Sequence, residues 1–206
     1  MNEHLAAIRA RLPEVATIIE PGACDGEQTE QLSRNLKGGD YYILEPDARN
    51  FKTLGKRKFN AAVSFTIVEG AISDHTGYTD FHAEAPGRSA SGSVLKPSDK
   101  LFRNYPELKF GKIVKVPCYT LDDFVETFVT SAGTIDLIWA DIQGAEGMLI
   151  AGGSKTLKRT RLLNLEISEC NGVYEGSWKQ EEILKALATW EIVGQFGPDI
   201  LLENIL

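Results

Sequence analysis

Short apolar runs that end in an acid alternate with stretches of helical period, and this alternation restricts the fold more than anything else in the chain. Residues 15–20, 41–45, 63–68, 135–140 and 162–167 are apolar and rich in β-branched or aromatic side chains, and an acid stands at or just beyond each end: Glu20, Glu45, Glu69, Asp141 and Glu166. Between them, residues 27–36, 48–58, 120–129, 145–157 and 180–189 carry apolar residues at helical spacing. Asp47 is placed to cap the second of these helices, and Thr120 with Asp123 has the form of a capping box for the third. Repeated β-α-β units predict an α/β fold, a mostly parallel sheet with helices on both faces. Residues 190–196 and 200–206, joined at Gly197-Pro198, predict an antiparallel hairpin that closes one edge and brings the main sheet to seven strands.

Ligands of such sheets gather beyond the carboxyl ends of the strands, so the strand-end acids are the first candidates for function. The segment Ile18-Ile19-Glu20-Pro21-Gly22-Ala23-Cys24-Asp25-Gly26 predicts a strand turning sharply into a helix. Glycines in such a turn accept positive φ and let backbone come close to a ligand. A dinucleotide fingerprint would need Gly-x-Gly-x-x-Gly, with an unobstructed helix N-terminus for the diphosphate. Here Ala23, Cys24 and Asp25 separate Gly22 from Gly26, and Glu20 precedes the turn, where a carboxylate repels phosphate and attracts an ammonium group. That pattern favours S-adenosylmethionine, a cationic sulfonium without phosphate, over NAD. About twenty residues on, Glu45 stands where a nucleotide fold puts a carboxylate on the ribose hydroxyls.

The chain has 206 residues, 22 Lys plus Arg against 29 Asp plus Glu, and a net charge of −7, which offers no electrostatic case for a nucleic-acid or anionic-membrane partner. Cys24, Cys118 and Cys170 lie far apart, and His4, His75 and His82 have no metal-type spacing, so neither a disulfide framework nor a zinc site is indicated. With no signal-peptide pattern and no run near the roughly 18 apolar residues of a membrane span, a cytoplasmic location is expected. Residues 1–14 form a lead-in helix and residues 15–206 a single domain. Residues 74–111 break every period with Gly, Pro and Ser and read as an insertion of short strands (78–82 and 112–117) and loops, with residues 88–93 its most mobile part. A long irregular segment of this kind is commonly an active-site cover.

Several separated segments, taken in order, resemble the FkbM family of S-adenosylmethionine-dependent methyltransferases. They are the turn at residues 20–26, Tyr42-Ile43-Leu44-Glu45-Pro46, Gly70-Ala71-Ile72-Ser73-Asp74 with Gly77, and Thr120-Leu121-Asp122-Asp123. The most specific is Ile135-Asp136-Leu137-Ile138-Trp139-Ala140-Asp141-Ile142-Gln143-Gly144-Ala145-Glu146, followed by Leu165-Glu166. The resemblance implies a Rossmann-like class I methyltransferase fold over roughly residues 15–204. It implies that Glu20, Gly22 and Gly26, with Ala23, line the methionine end of the cofactor, and that Glu45, with Pro46, takes the ribose. Ala71, Ile72 and Ser73 would border the adenine, and Asp141, Gln143 and Glu146 would sit beside the methyl and the acceptor. Members typically methylate a hydroxyl of a sugar or natural product. The chain departs from the family where Glu20-Pro21 replaces an Asp and a small apolar residue, and where Trp139-Ala140 replaces a Lys before the Asp.

A neutral hydroxyl needs help to lose its proton, so Asp141 is the first candidate base, Glu166 the second and His82 an outside one. Paired strand-end carboxylates also permit Mg²⁺, which is not expected here. Tyr119, Tyr174 and Trp178 are candidates for the floor of a sugar or aromatic acceptor. Three other readings stay open: a nucleoside-binding module without turnover, an NAD-dependent oxidoreductase, and a methyltransferase acting on a nitrogen or on a protein or nucleic acid, nucleic acid being the least favoured by the acidic balance.

Overall fold

A computed structural model describes residues 3–85, 90–131, 133–167 and 172–205. In chain order, α1 (Glu3–Arg9) leads into β1 (Val15–Pro21), α2 (Glu27–Ser33), β2 (Gly38–Glu45), α3 (Ala48–Leu54) and β3 (Ser64–Glu69). Next come β4 (Ala71–Ile72), β5 (Gly77–Glu84), α4 (Asp99–Asn104) and β6 (Phe110–Tyr119). The chain then returns to the main sheet through α5 (Leu121–Phe128), β7 (Ile135–Ala140), α6 (Glu146–Ala151), α7 (Ser154–Lys158), β8 (Thr160–Glu166), α8 (Gln180–Ala186), β9 (Trp190–Phe196) and β10 (Asp199–Asn204).

The main sheet has seven strands in the order β3-β2-β1-β7-β8-β10-β9, parallel except at β10, which runs antiparallel to both of its neighbours. This is the fold expected from the sequence. Strands covered on both faces read as continuous apolar runs, and consecutive side chains go to opposite layers. Ile18, Tyr41, Ile43, Leu137 and Leu162 pack with Leu5, Ile8, Leu32 and Leu54 of α1, α2 and α3. Their neighbours Ile19, Tyr42, Leu44, Ile138 and Leu163 pack with α5 to α8 through Phe124, Leu149, Leu157 and Ile183.

Three expectations are corrected. The helix expected over residues 145–157 is two helices broken at Gly152-Gly153: the Gly152 carbonyl accepts from the Asp122 N–H, and the Asp122 carboxylate takes the N–H groups of Lys155 and Thr156 at 3.1 and 2.8 Å. The capping box at Thr120 is half formed. Thr120 Oγ1 accepts from the Asp123 N–H at 3.0 Å, but the Asp123 carboxylate accepts from the Thr76 hydroxyl instead of returning to the Thr120 amide. The insertion is more ordered than its composition suggests, because β5 and β6 form a long antiparallel pair that joins β4 in a second sheet, and α4 follows Ser98. Arg88 and Ser89, part of the stretch read as mobile, lie outside the described residues, as does Cys170. Among the described residues no helix is long and apolar enough to cross a membrane.

Candidate active site

The chain runs outward from β1 to β2 and β3, then crosses back to β7 on the other side of β1, so the strand order reverses between β1 and β7. A crevice opens at such a reversal, beyond the carboxyl ends of the two strands. The glycine turn after β1 and the acidic turn after β7 meet there. The Asp141 N–H donates to the Pro21 carbonyl at 3.4 Å, and Gly22, at φ +81°, lies so close to the Asp141 carbonyl that a Cβ on it would stand 2.0 Å from that oxygen. Gly22 is therefore fixed by the approach of two chain segments, a tighter reason than the ligand approach inferred from its sequence. Gly26 opens α2 in the left-handed region, where a Cβ would meet Leu54 at 2.6 Å.

Two clefts share a wall here. Gly22, Cys24, Glu45, Pro46, Ala71, Ile72, Asp141 and Gln143 line the first, with Leu44, Phe81 and Ser93 among the others. The second runs from Asp141, Gln143 and Glu166 to Tyr174, Val173, Leu101, Tyr105, Glu107 and Leu108. Asp141, Gln143 and Ala90 belong to both.

Glu45 holds the near side of the first cleft. Its Oε2 accepts the Cys24 N–H and its Oε1 the Asp47 N–H, each at 2.8 Å, so one carboxyl group ties the glycine turn to the start of α3. Burial pushes it up to about 8, against the pull of those donors and of Asn50. Cys24 and Gln143, both at φ +53°, are the two non-glycine residues with positive φ among the described residues, and both line this cleft. Such conformations cost roughly 1 kcal/mol or more and persist where the surroundings enforce them, which happens most often at functional sites.

On the far side, the Gln143 side-chain amide donates to Asp141 Oδ1 at 2.7 Å and to Glu166 Oε2 at 3.1 Å. Its orientation is fixed from the other end, where the Tyr174 hydroxyl donates to Gln143 Oε1 at 3.1 Å. Burial raises both acids, and Glu166 is raised further by the Asp141 charge beside it, with which it shares a hydrogen bond. Like charges this close disfavour ionisation of both acids together, so each raises the other. Beneath the turn, Glu146 is buried. Its Oε1 accepts the N–H groups of Ile142 and Gly144 at 3.2 and 3.4 Å, and burial raises it to about 8.

Not every residue singled out in the sequence reaches a cleft. Glu20 is 1% exposed under the glycine turn, where Thr29 and Tyr41 donate their hydroxyls to Oε2, Oε1 has no partner, and burial raises the group to about 7. Ala23 packs in the core, Ser73 is buried beside Asp74 and His75, and Glu146 supports the Asp141 turn from below. His82 is held by backbone pairing with Ser93 on the insertion and lines neither cleft. Tyr119 stacks edge-on with Phe124 and Phe128, and Trp178 covers Gly147, so of the three aromatic candidates only Tyr174 faces the second cleft. Ala140, where the family commonly has lysine, is fully buried in the core. Leu101, Tyr105, Leu108 and Ser91 went unnoticed in the sequence, whose one signal was the length of the irregular segment that carries them.

The first cleft is acidic and apolar. Its described lining contains two carboxylates, Glu45 and Asp141, apolar surfaces at Leu44, Ala71, Ile72 and Phe81, and no Lys, Arg or His. A diphosphate would meet acids there and no cation.

A model of the methyltransferase FkbM domain matches residues 20–191. The 2-O-methyltransferase NoeI of Sinorhizobium fredii is 33% identical over 198 residues, an alignment covering 91% of this chain and 79% of that protein. Among solved structures, the N-methyltransferase NodS of Bradyrhizobium japonicum is similar with a TM-score of 0.52 at 12% identity, covering 98% of this chain and 93% of the other. An rRNA methylase of Streptococcus thermophilus gives 0.52 at 8% identity, covering 99% and 95%. At these identities the two structures speak for the fold alone, and they are methyltransferases, not oxidoreductases. The chain belongs to the FkbM methyltransferase family and is an S-adenosylmethionine-dependent O-methyltransferase.

Proposed function

We propose that the chain methylates a hydroxyl oxygen of a small molecule, a sugar in the first instance, with the cofactor in the first cleft, the acceptor in the second and Asp141 as the base between them. The observation that carries this reading is that Asp141 lines both clefts and shares the Gln143 side-chain amide with a second acid, Glu166. The name of the 33% identical relative, a 2-O-methyltransferase, supports oxygen as the acceptor atom.

When bound, S-adenosylmethionine supplies an electrophilic methyl group on a positively charged sulfur. Glu45 is placed to accept hydrogen bonds from the ribose hydroxyls, and Ala71 and Ile72 to border the adenine. Asp141 lies where an acceptor hydroxyl in the second cleft approaches the first. A methyl given up by the bound sulfonium would leave a neutral thioether, and Asp141 would take the proton that the acceptor oxygen loses, while Gln143 keeps the two acids in place. Tyr174, Val173, Leu101 and Leu108 shield that position from water and hold the acceptor close, which supplies much of the rate.

Replacing Asp141 by Asn keeps the shape and the amide contact but removes the base, so turnover should fall by about 10²- to 10⁴-fold. Affinity for S-adenosylhomocysteine, measured by calorimetry, should stay within about threefold. Wild-type turnover in this variant removes Asp141 as the base.

A further inference from the structure

The charges around the acceptor cleft select among acceptors. Its described lining contains three carboxylates, Glu107, Asp141 and Glu166, and no Lys, Arg or His. The first cleft repeats the pattern, with Glu45 and Asp141 and no cation among its described residues. Two nearby cations are engaged elsewhere. Arg49 forks onto Asp47 and the Glu84 carbonyl, Lys96 pairs with Glu175 at 2.8 Å, and Lys100, Arg103 and Lys109 flank the second cleft without lining it.

Three backbone donors of the turns, the other means of holding a phosphate, are committed as well. In the Asp141 turn the N–H groups of Ile142 and Gly144 go to Glu146, and in the glycine turn the Cys24 N–H goes to Glu45. A phosphate entering the second cleft would lose its water beside the acids Glu107, Asp141 and Glu166 and meet no Lys, Arg or His among the described lining residues. A neutral ring carrying hydroxyls meets none of these penalties. It can donate to the carboxylates and lay an apolar face on Tyr174, Val173 and Leu108.

Building on the sugar-hydroxyl reading above, we infer that the acceptor enters free of phosphate: the enzyme methylates a neutral glycoside and rejects the phosphate-activated form of the same sugar. The class of reaction that supplies its substrate is then a glycosyl transfer that has already released the sugar from its phosphate-bearing donor. Methylation follows that transfer.

The test compares, with the full chain, the best acceptor from a panel of methyl hexosides and 6-deoxyhexosides with the 1-phosphate and the nucleoside diphosphate derivative of the same sugar. The expected kcat/KM is at least about tenfold higher for the methyl glycoside at low ionic strength. Raising salt to about 0.5 M should narrow the gap, since screening weakens repulsion and leaves shape untouched. Glu107→Lys, at the exposed rim of the cleft, should move the ratio toward one.

Equal or faster turnover of a phosphorylated sugar overturns the inference and leaves hydroxyl methylation standing. A gap insensitive both to salt and to Glu107→Lys assigns the selection to shape and overturns it as well. Turnover of neither series, with S-adenosylhomocysteine still bound by calorimetry, removes the sugar acceptor itself and this inference with it.

Discussion

The two clefts that meet at Asp141 are built by different means. The first is built on strand ends and tight turns of the main sheet, at Gly22, Glu45 and Gln143, and closed by β4 and by insertion residues such as Phe81 and Ser93. The second is roofed by parts of the insertion and by residues 172–174, whose positions depend on long-range contacts such as the Tyr174 hydroxyl on the Ser91 carbonyl and the Ser93 hydroxyl on the Gln143 carbonyl. One half of the site thus belongs to the scaffold, and the other is draped over it. In the proposed assignment, cofactor recognition is tied more closely to the main sheet and acceptor recognition to the loops.

Gly22 joins the halves, and disturbing it should have the largest effect. Gly22→Ala places a methyl group 2.0 Å from the Asp141 carbonyl at a φ of +81°, so both turns must shift. A loss of about 2–4 kcal/mol of stability is expected in urea unfolding, with cofactor and acceptor binding weakened together. Unchanged stability would mean that the turns are not held against each other.

Glu45→Ala should separate the halves. It strands the Cys24 and Asp47 N–H groups and removes the proposed ribose contact, at about 1–3 kcal/mol, so affinity for S-adenosylhomocysteine should fall by about 10- to 100-fold. The acceptor KM at saturating cofactor should stay near the wild-type value. Unchanged cofactor affinity removes the ribose assignment.

Tyr174→Phe probes the draped half. Removing its hydroxyl frees the Gln143 carboxamide and should lower kcat/KM for the acceptor by a few-fold, leaving cofactor affinity alone. An equal loss in cofactor binding would show that the two halves are more tightly coupled than their geometry suggests.

At Glu146 the expected effect depends on pH. With a folded-state value near 8 against an unfolded value near 4.5, this carboxyl binds its proton more tightly in the folded protein. Its contribution to stability is complete below about pH 4.5 and is lost as pH rises through about 8. Glu146→Gln retains an oxygen for the Ile142 and Gly144 amides, so it should match the wild type near pH 5 and exceed it in stability near pH 9. Urea midpoints with the same pH slope in both proteins would contradict the buried, protonated state.

The same contrast decides what could be read from the sequence. The strands, the parallel sheet and its closing hairpin follow from apolar runs of period two and helical stretches of period 3.6, both local signals. Gly22, Glu45, Asp141 and Gln143 were legible because strand-end positions map directly onto the crevice. Glu20 stands one residue before the end of β1 and points into the core, an outcome of side-chain alternation that the strand-end rule overlooks. The insertion was visible only as an interruption. Its second sheet rests on pairing of β6 with β4 and β5, and α4 is six residues long, too short for its period to stand out. Tyr174 could not be told from Trp178 or Tyr119, because the difference lies in which cleft or helix faces each ring.

The most direct test of the division between the clefts is a crystal structure of the protein with S-adenosylhomocysteine. The expected result has the nucleoside in the cleft lined by Ala71 and Ile72, its ribose hydroxyls on the Glu45 carboxylate and its sulfur turned toward Asp141 at the mouth of the second cleft. A nucleoside seated instead between Tyr105 and Tyr174, or a ribose with no contact to Glu45, would contradict it.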